Sequence, residues 1–181
     1  RMPWLLILLA LGMVVSSVVG VFETVVTQLP IIMCFQSLIL DMAGNVGTQS
    51  LAVTIRVLMD ESLTGKQKAE LVFKEMKIGL CNGGLLGLMS FVLIGLYIFA
   101  IKGKTLAFSY AVSACIGVAL LLAMLISSAV GTCIPLLFKK IKVDPAVASG
   151  PLITTINDLV AVVSYYGLSW LFLIEFFHMA G

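Results

Sequence analysis

Asp158 stands inside an apolar run, where an ionised carboxylate costs about 2.5–3.5 kcal/mol against hydrocarbon unless it meets water, a counter-charge or a cation. Thr154, Thr155 and Asn157 place further polar atoms beside it, and Gly150 and Pro151 loosen the helix. A second polar stretch, Asp41-Met-Ala-Gly-Asn-Val-Gly-Thr-Gln-Ser50, interrupts another apolar run. There Asn45, Thr48, Gln49 and Ala52 fall at the spacings i, i+3, i+4 and i+7, which make one polar-and-small helix face. Gly44 and Gly47 permit close backbone approach. Polar helix at membrane depth is tolerated only against protein or a water-filled cavity. Taken alone, the second stretch reads equally as glue between helices or as pore lining.

Glu23, Asp41 and Asp158 are the acidic residues within or at the edges of the apolar runs, and none has a basic residue three or four positions away. No lysine or arginine lies deep in a run. The excess negative charge calls for a bound cation or for proton uptake. Glu23 is read as an interfacial, partly wetted carboxylate in preference to an ion ligand. No cysteine or histidine accompanies Asp158 or Asn45, and oxygen-only surroundings suit magnesium, calcium or manganese. Magnesium dehydrates reluctantly, so a sparse, wet set of ligands fits it. The expected metal-ligating set is Asp158, Thr154 and Asn45. Gly44, Gly47, Thr48, Gln49, Pro151, Thr155 and Asn157 are expected to line or gate the path, with Pro151 freeing a backbone carbonyl as an acceptor. One deep carboxylate per chain is too little for a divalent ion, but a two-fold dimer would bring two copies of Asp158 together.

The elements that must position these residues follow from composition. Hydrophobic residues are 61% of the 181 and charged residues 11%, which excludes an ordinary soluble domain. The runs are continuous rather than alternating, so a barrel is disfavoured. Five transmembrane helices are expected at about 4–26, 31–58, 78–101, 106–138 and 146–176, giving an all-α integral membrane protein with one pore domain over 1–181. The second is expected to be interrupted at 41–50 and the fifth at Gly150-Pro151. Residues 59–77 carry mixed charge and read as a polar cytoplasmic loop. With the N-terminus inside, Arg1, Arg56, Lys66, Lys68, Lys74, Lys77, Lys139, Lys140 and Lys142 are cytoplasmic, against Lys102 and Lys104 outside. That bias sets the orientation and puts the C-terminus outside. Tyr165, Tyr166 and Trp170 are read as an aromatic belt, and His178 as an exposed tail residue. Gly83 and Gly87 form a GxxxG packing pair. Cys34, Cys81, Cys115 and Cys133 form no CxxC pair and are read as buried packing. The net charge of +2 reflects topology, and no nucleic-acid partner is expected. The absence of Ser/His, HExxH or paired catalytic carboxylate motifs argues against an enzyme. Besides a channel, the residues allow a proton- or cation-coupled carrier with Asp158 as the ion site, or a membrane scaffold.

The stretches Arg1-Met-Pro-Trp-Leu, Gly44-Asn-Val-Gly-Thr-Gln49, Asn82-Gly and Asp144-Pro-Ala…Gly150-Pro-Leu-Ile-Thr-Thr…Asp158 resemble the transmembrane domain of MgtE-type magnesium channels. The resemblance covers essentially the whole chain, in order. It implies a homodimer of five helices per subunit in the cell (inner) membrane, with a pore between subunits lined by the second and fifth helices. It also implies a hydrated Mg2+, transported and pore-bound, held by the aspartates matching Asp158 and moving down its gradient into the cytoplasm. Cytosolic N-terminal and CBS regulatory domains are expected before Arg1. Asp41-Met-Ala-Gly44 departs from the run of small residues usual in the family, so Asp41 either adds charge to an outer vestibule or faces outside water.

Overall fold

A computed structural model describes residues 1–176, and these fold into helices and turns, with no strand among the described residues. Helix α1 spans Met2–Val21 and ends at Phe22, where a short helix α2, Glu23–Gln28, begins. A 3₁₀ turn, Pro30–Phe35, leads into α3, Gln36–Val57. Helices α4, α5 and α6 span Gly65–Ile101, Leu106–Lys140 and Pro145–Leu168, and α6 runs on into a π-helix, Ser169–Phe176. Five helical segments are long and apolar enough to cross a membrane, as expected from the apolar runs. His178 lies outside the described residues.

Local chemistry sets the helix starts. Thr64 and Gln67 form a reciprocal capping box, in which the Thr64 N–H donates to Gln67 Oε1 (2.9 Å) and the Gln67 N–H to Thr64 Oγ1 (3.3 Å). The Phe108 N–H donates to Thr105 Oγ1 at the head of α5, and the Ala146 N–H to Asp144 Oδ1 at the head of α6, where Pro145 suits the first turn. In the loop before Thr64, the Ser62 hydroxyl and N–H both donate to Asp60, which holds that carboxyl below its usual range. The 37 residues of α4 reach roughly 55 Å, well beyond a hydrocarbon core of about 30 Å. Most of the charged stretch 59–77 is therefore the first turns of α4, and the loop proper is confined to residues 58–64.

Helix α5 is the centre of the bundle and packs along α4, α3 and α6. Ile116, Ala119, Leu120, Ala123 and Met124 are buried along it. Gly87 of α4 lies on Gly117 of α5 so closely that a Cβ at either would sit 2.8 Å from the other's carbonyl oxygen. Gly83 rests on the backbone of Leu121. The GxxxG pair thus packs two helices of the same chain.

Several expectations change. Helix α3 runs unbroken through Gly44 and Gly47, and α6 through Gly150 and Pro151, because packing on neighbouring helices offsets the roughly 1 kcal/mol that glycine and the roughly 3 kcal/mol that proline cost a helix interior. Tyr165 and Tyr166 are buried rather than belted at an interface. The Tyr165 hydroxyl donates to the Ile32 carbonyl and the Tyr166 hydroxyl to Gln36 Oε1, pinning α6 to the entry of α3, while Trp170 is exposed. Only Cys115 of the four cysteines is buried. The others lie on outward faces, which in a membrane helix are as apolar as the core.

Candidate ion-binding groove

Helices α3 and α6 lie side by side, and their pairing sorts the polar residues by helix face. Asn157 turns inward. Its amide is fully buried, Nδ2 donates to the Ala43 carbonyl at 3.4 Å, and Oδ1 has no hydrogen-bond partner. Gly47 makes room for it, since a Cβ there would collide with the Asn157 side-chain amide. On the other side of α3, Gly131 of α5 presses on the Gly47 carbonyl. Asn157 and Gly47 therefore belong to the helix contact and not to a lining.

Asp158, one residue on and about 100° around the helix, turns the other way. With Thr154 from α6 it lines a concavity of about 310 Å³ whose opposite wall is Leu40, Asp41, Gly44, Asn45 and Thr48 of α3. Asp41, Asn45, Thr48 and Thr154 are exposed, Asp158 is half-buried, and no basic side chain lines the space. The structure thus brings together five of the residues expected to bind the ion or line its path, namely Asp158, Thr154, Asn45, Gly44 and Thr48, and adds Asp41 to them. Gln49 and Pro151 are exposed and Thr155 is half-buried, none of them in this lining.

The hydrogen bonds give the groove one chemical character. The Thr48 hydroxyl donates to the carbonyls of Gly44 (3.1 Å) and Asn45 (2.9 Å). The Thr154 hydroxyl donates to the Gly150 carbonyl (3.1 Å). Asn45 Nδ2 donates to Asp41 Oδ2 (3.3 Å). The two hydroxyl protons and one of the two Asn45 amide protons are thus turned back on the protein. What remains to the space is mainly acceptor oxygen, from the two carboxyl groups of Asp41 and Asp158 and the hydroxyls of Thr48 and Thr154. Such a surface suits a cation, or the outward-pointing protons of a cation's own water shell. Among the described residues no three ionisable ligands gather into a closed coordination cage.

Two residues of consequence escaped the reading of the sequence. For Asp41 the sequence allows a vestibule or bulk water, but its spacing of four from Asn45 is what places it in the same wall. Glu75 falls in the stretch that reads as a solvated loop, yet it is buried against α3, a placement with no mark in the local charge pattern.

Five helical segments long and apolar enough to cross a membrane, with an acceptor-lined groove on an outer face, define a multi-pass helical membrane protein. Residues 36–168 match the sequence pattern of the family MgtE, described as a divalent cation transporter, and the chain belongs to that family. It is 36% identical over 173 residues to the magnesium transporter MgtE of Bacillus subtilis, 37% over 173 to that of Enterococcus faecalis and 33% over 174 to that of Thermus thermophilus. Each alignment covers 96% of this chain and 36% of the relative, so the chain spans about a third of the length of these curated relatives.

Proposed function

We propose that this chain forms the pore of a magnesium channel. Hydrated Mg2+ passes between two copies of the chain, down its electrochemical gradient into the cytoplasm, and the two copies of Asp158 hold it at the two-fold axis. The observation that carries the reading is the groove's inventory, which offers acceptor oxygens with their protons turned away and no cationic neighbour. Its placement on an outer face supports the dimer. Leaving Asp41 and Asp158 against lipid would cost about 5–7 kcal/mol per chain, comparable to the whole stability of a domain. A second copy facing the first encloses the groove, keeps it wet and doubles its negative charge. The roominess favours an ion that keeps its waters over a stripped one. Magnesium, rather than another hard divalent ion, is supported by the relatives, which are magnesium transporters. The basic residues favour the N-terminus inside, and regulatory segments on the cytosolic side complete the proposal.

The test is Mg2+ uptake into proteoliposomes with and without a proton gradient, with current recorded in parallel. The channel reading expects a Mg2+ current that follows the Mg2+ gradient and membrane potential and is indifferent to the proton gradient. Uptake that requires the proton gradient and saturates without current would replace the channel with a coupled carrier at the same groove.

A further inference from the structure

Glu75 lies among the charged first turns of α4, yet it is only 5% exposed. Its Oε2 accepts a hydrogen bond from the Ser50 hydroxyl of α3 at 2.9 Å, and Ser50 is itself 3% exposed. The packing around the pair is tight. Gly79, one turn along α4, lies on Ser128 and the Met124 carbonyl of α5, and Gly131 of α5 abuts the Ser50 Cβ. Helices α3 and α4 both pack along α5 and touch each other over only a short stretch. Among the described residues, the Ser50–Glu75 bond is the side-chain hydrogen bond that joins them. An apolar residue of similar size would fill this volume without the cost of burying a carboxyl group, so packing alone does not account for Glu75. Ser50 follows Thr48 by two residues and Asn45 by five, so whatever fixes Ser50 fixes the rotation of the groove wall that bears both.

We propose that Glu75 is a positioning residue for ion passage, holding α3 through Ser50 so that Asn45 and Thr48 keep their aim into the groove. The proposal rests on the channel reading and extends it to a residue outside the groove. It also makes the charged start of α4, which projects towards water, mechanically continuous with the ion pathway.

The test uses the full-length protein in liposomes, with Mg2+ influx measured against Mg2+ concentration for Ser50→Ala, Glu75→Leu, Glu75→Gln and the Ser50→Ala/Glu75→Leu pair. Losing the bond is expected to raise the half-saturating Mg2+ concentration roughly three- to tenfold in Ser50→Ala and Glu75→Leu. Glu75→Gln keeps an acceptor for the Ser50 hydroxyl and is expected to stay within about twofold of the unsubstituted protein. The pair is expected to be no worse than either single change. Loss of folded protein alone would lower the amplitude and leave the half-saturation in place. If Glu75→Leu does not fold, Ser50→Ala, which removes one oxygen, carries the test. Unchanged half-saturation in Ser50→Ala, a Glu75→Gln as damaged as Glu75→Leu, or additive losses in the pair would each overturn the inference while the unsubstituted protein still conducts. An unsubstituted protein that passes no Mg2+ overturns the channel reading, and this inference with it.

Discussion

At the residue scale, the adjacent pair Asn157 and Asp158 face opposite ways, and only Asp158 is open to the proposed ionic role. One side chain is buried against Ala43 and the other lines the groove. Sequence grouped them because both are polar atoms in an apolar run. It could not show which way the helix is rotated, and that is decided by the gap at Gly47. Asp158, Thr154 and Asn45 were legible because a polar residue at membrane depth needs a reason. Asp41 was not, because a carboxylate near the edge of an apolar run has bulk water as an equally good explanation. Since Asp41 shares the wall with Asn45 and is the more exposed of the two carboxyl groups, its charge is expected to attract the ion more than to hold it. Asp41→Asn should lower Mg2+ influx about two- to fivefold at low ionic strength, with the deficit shrinking as added monovalent salt screens the exposed charge. Influx equal to the unsubstituted protein at every salt concentration would return Asp41 to the role of a surface residue.

At the element scale, α3 is a helix clamped on two sides and open on a third. Gly131 of α5 lies on its Gly47 carbonyl, Asn157 of α6 bonds its Ala43 carbonyl, and Gly44 faces the groove with nothing within 4 Å of where a Cβ would be. The two glycines therefore predict opposite outcomes. Gly131→Ala forces a methyl against backbone that cannot yield and should destabilise the protein by about 1–3 kcal/mol, seen as a lower unfolding temperature in detergent. Gly44→Ala meets no neighbour and gains helix propensity, so the unfolding temperature should hold or rise. A Gly44→Ala that unfolds earlier than Gly131→Ala would contradict this packing. Hydropathy and charge were enough to place the five spans, because length and apolar content decide them. The continuity of α3 and α6 was hidden, since glycine and proline lower helix propensity locally while packing on α5 and on each other restores it.

At the scale of the whole molecule, α5 is wrapped on three sides by α3, α4 and α6, while the acceptor-lined groove and nearly all of α1 lie on the outside. A chain whose most polar surface at membrane depth points outward is incomplete by itself. In the proposed dimer, two copies would enclose the groove and offer the ion two Asp158 carboxylates where one chain supplies one. Nothing in a single sequence displays that surface, because it exists only once α3 and α6 are side by side. The most direct test is the Mg2+ influx of Asp158→Asn against the unsubstituted protein in liposomes, at matched amounts of protein shown to elute as two chains. The substitution keeps the size and an acceptor oxygen and removes the charge from both copies at once. Influx is expected to fall at least about tenfold while the two-chain assembly persists. Undiminished Mg2+ influx through the Asp158→Asn assembly would contradict the assignment of the ion site to this groove.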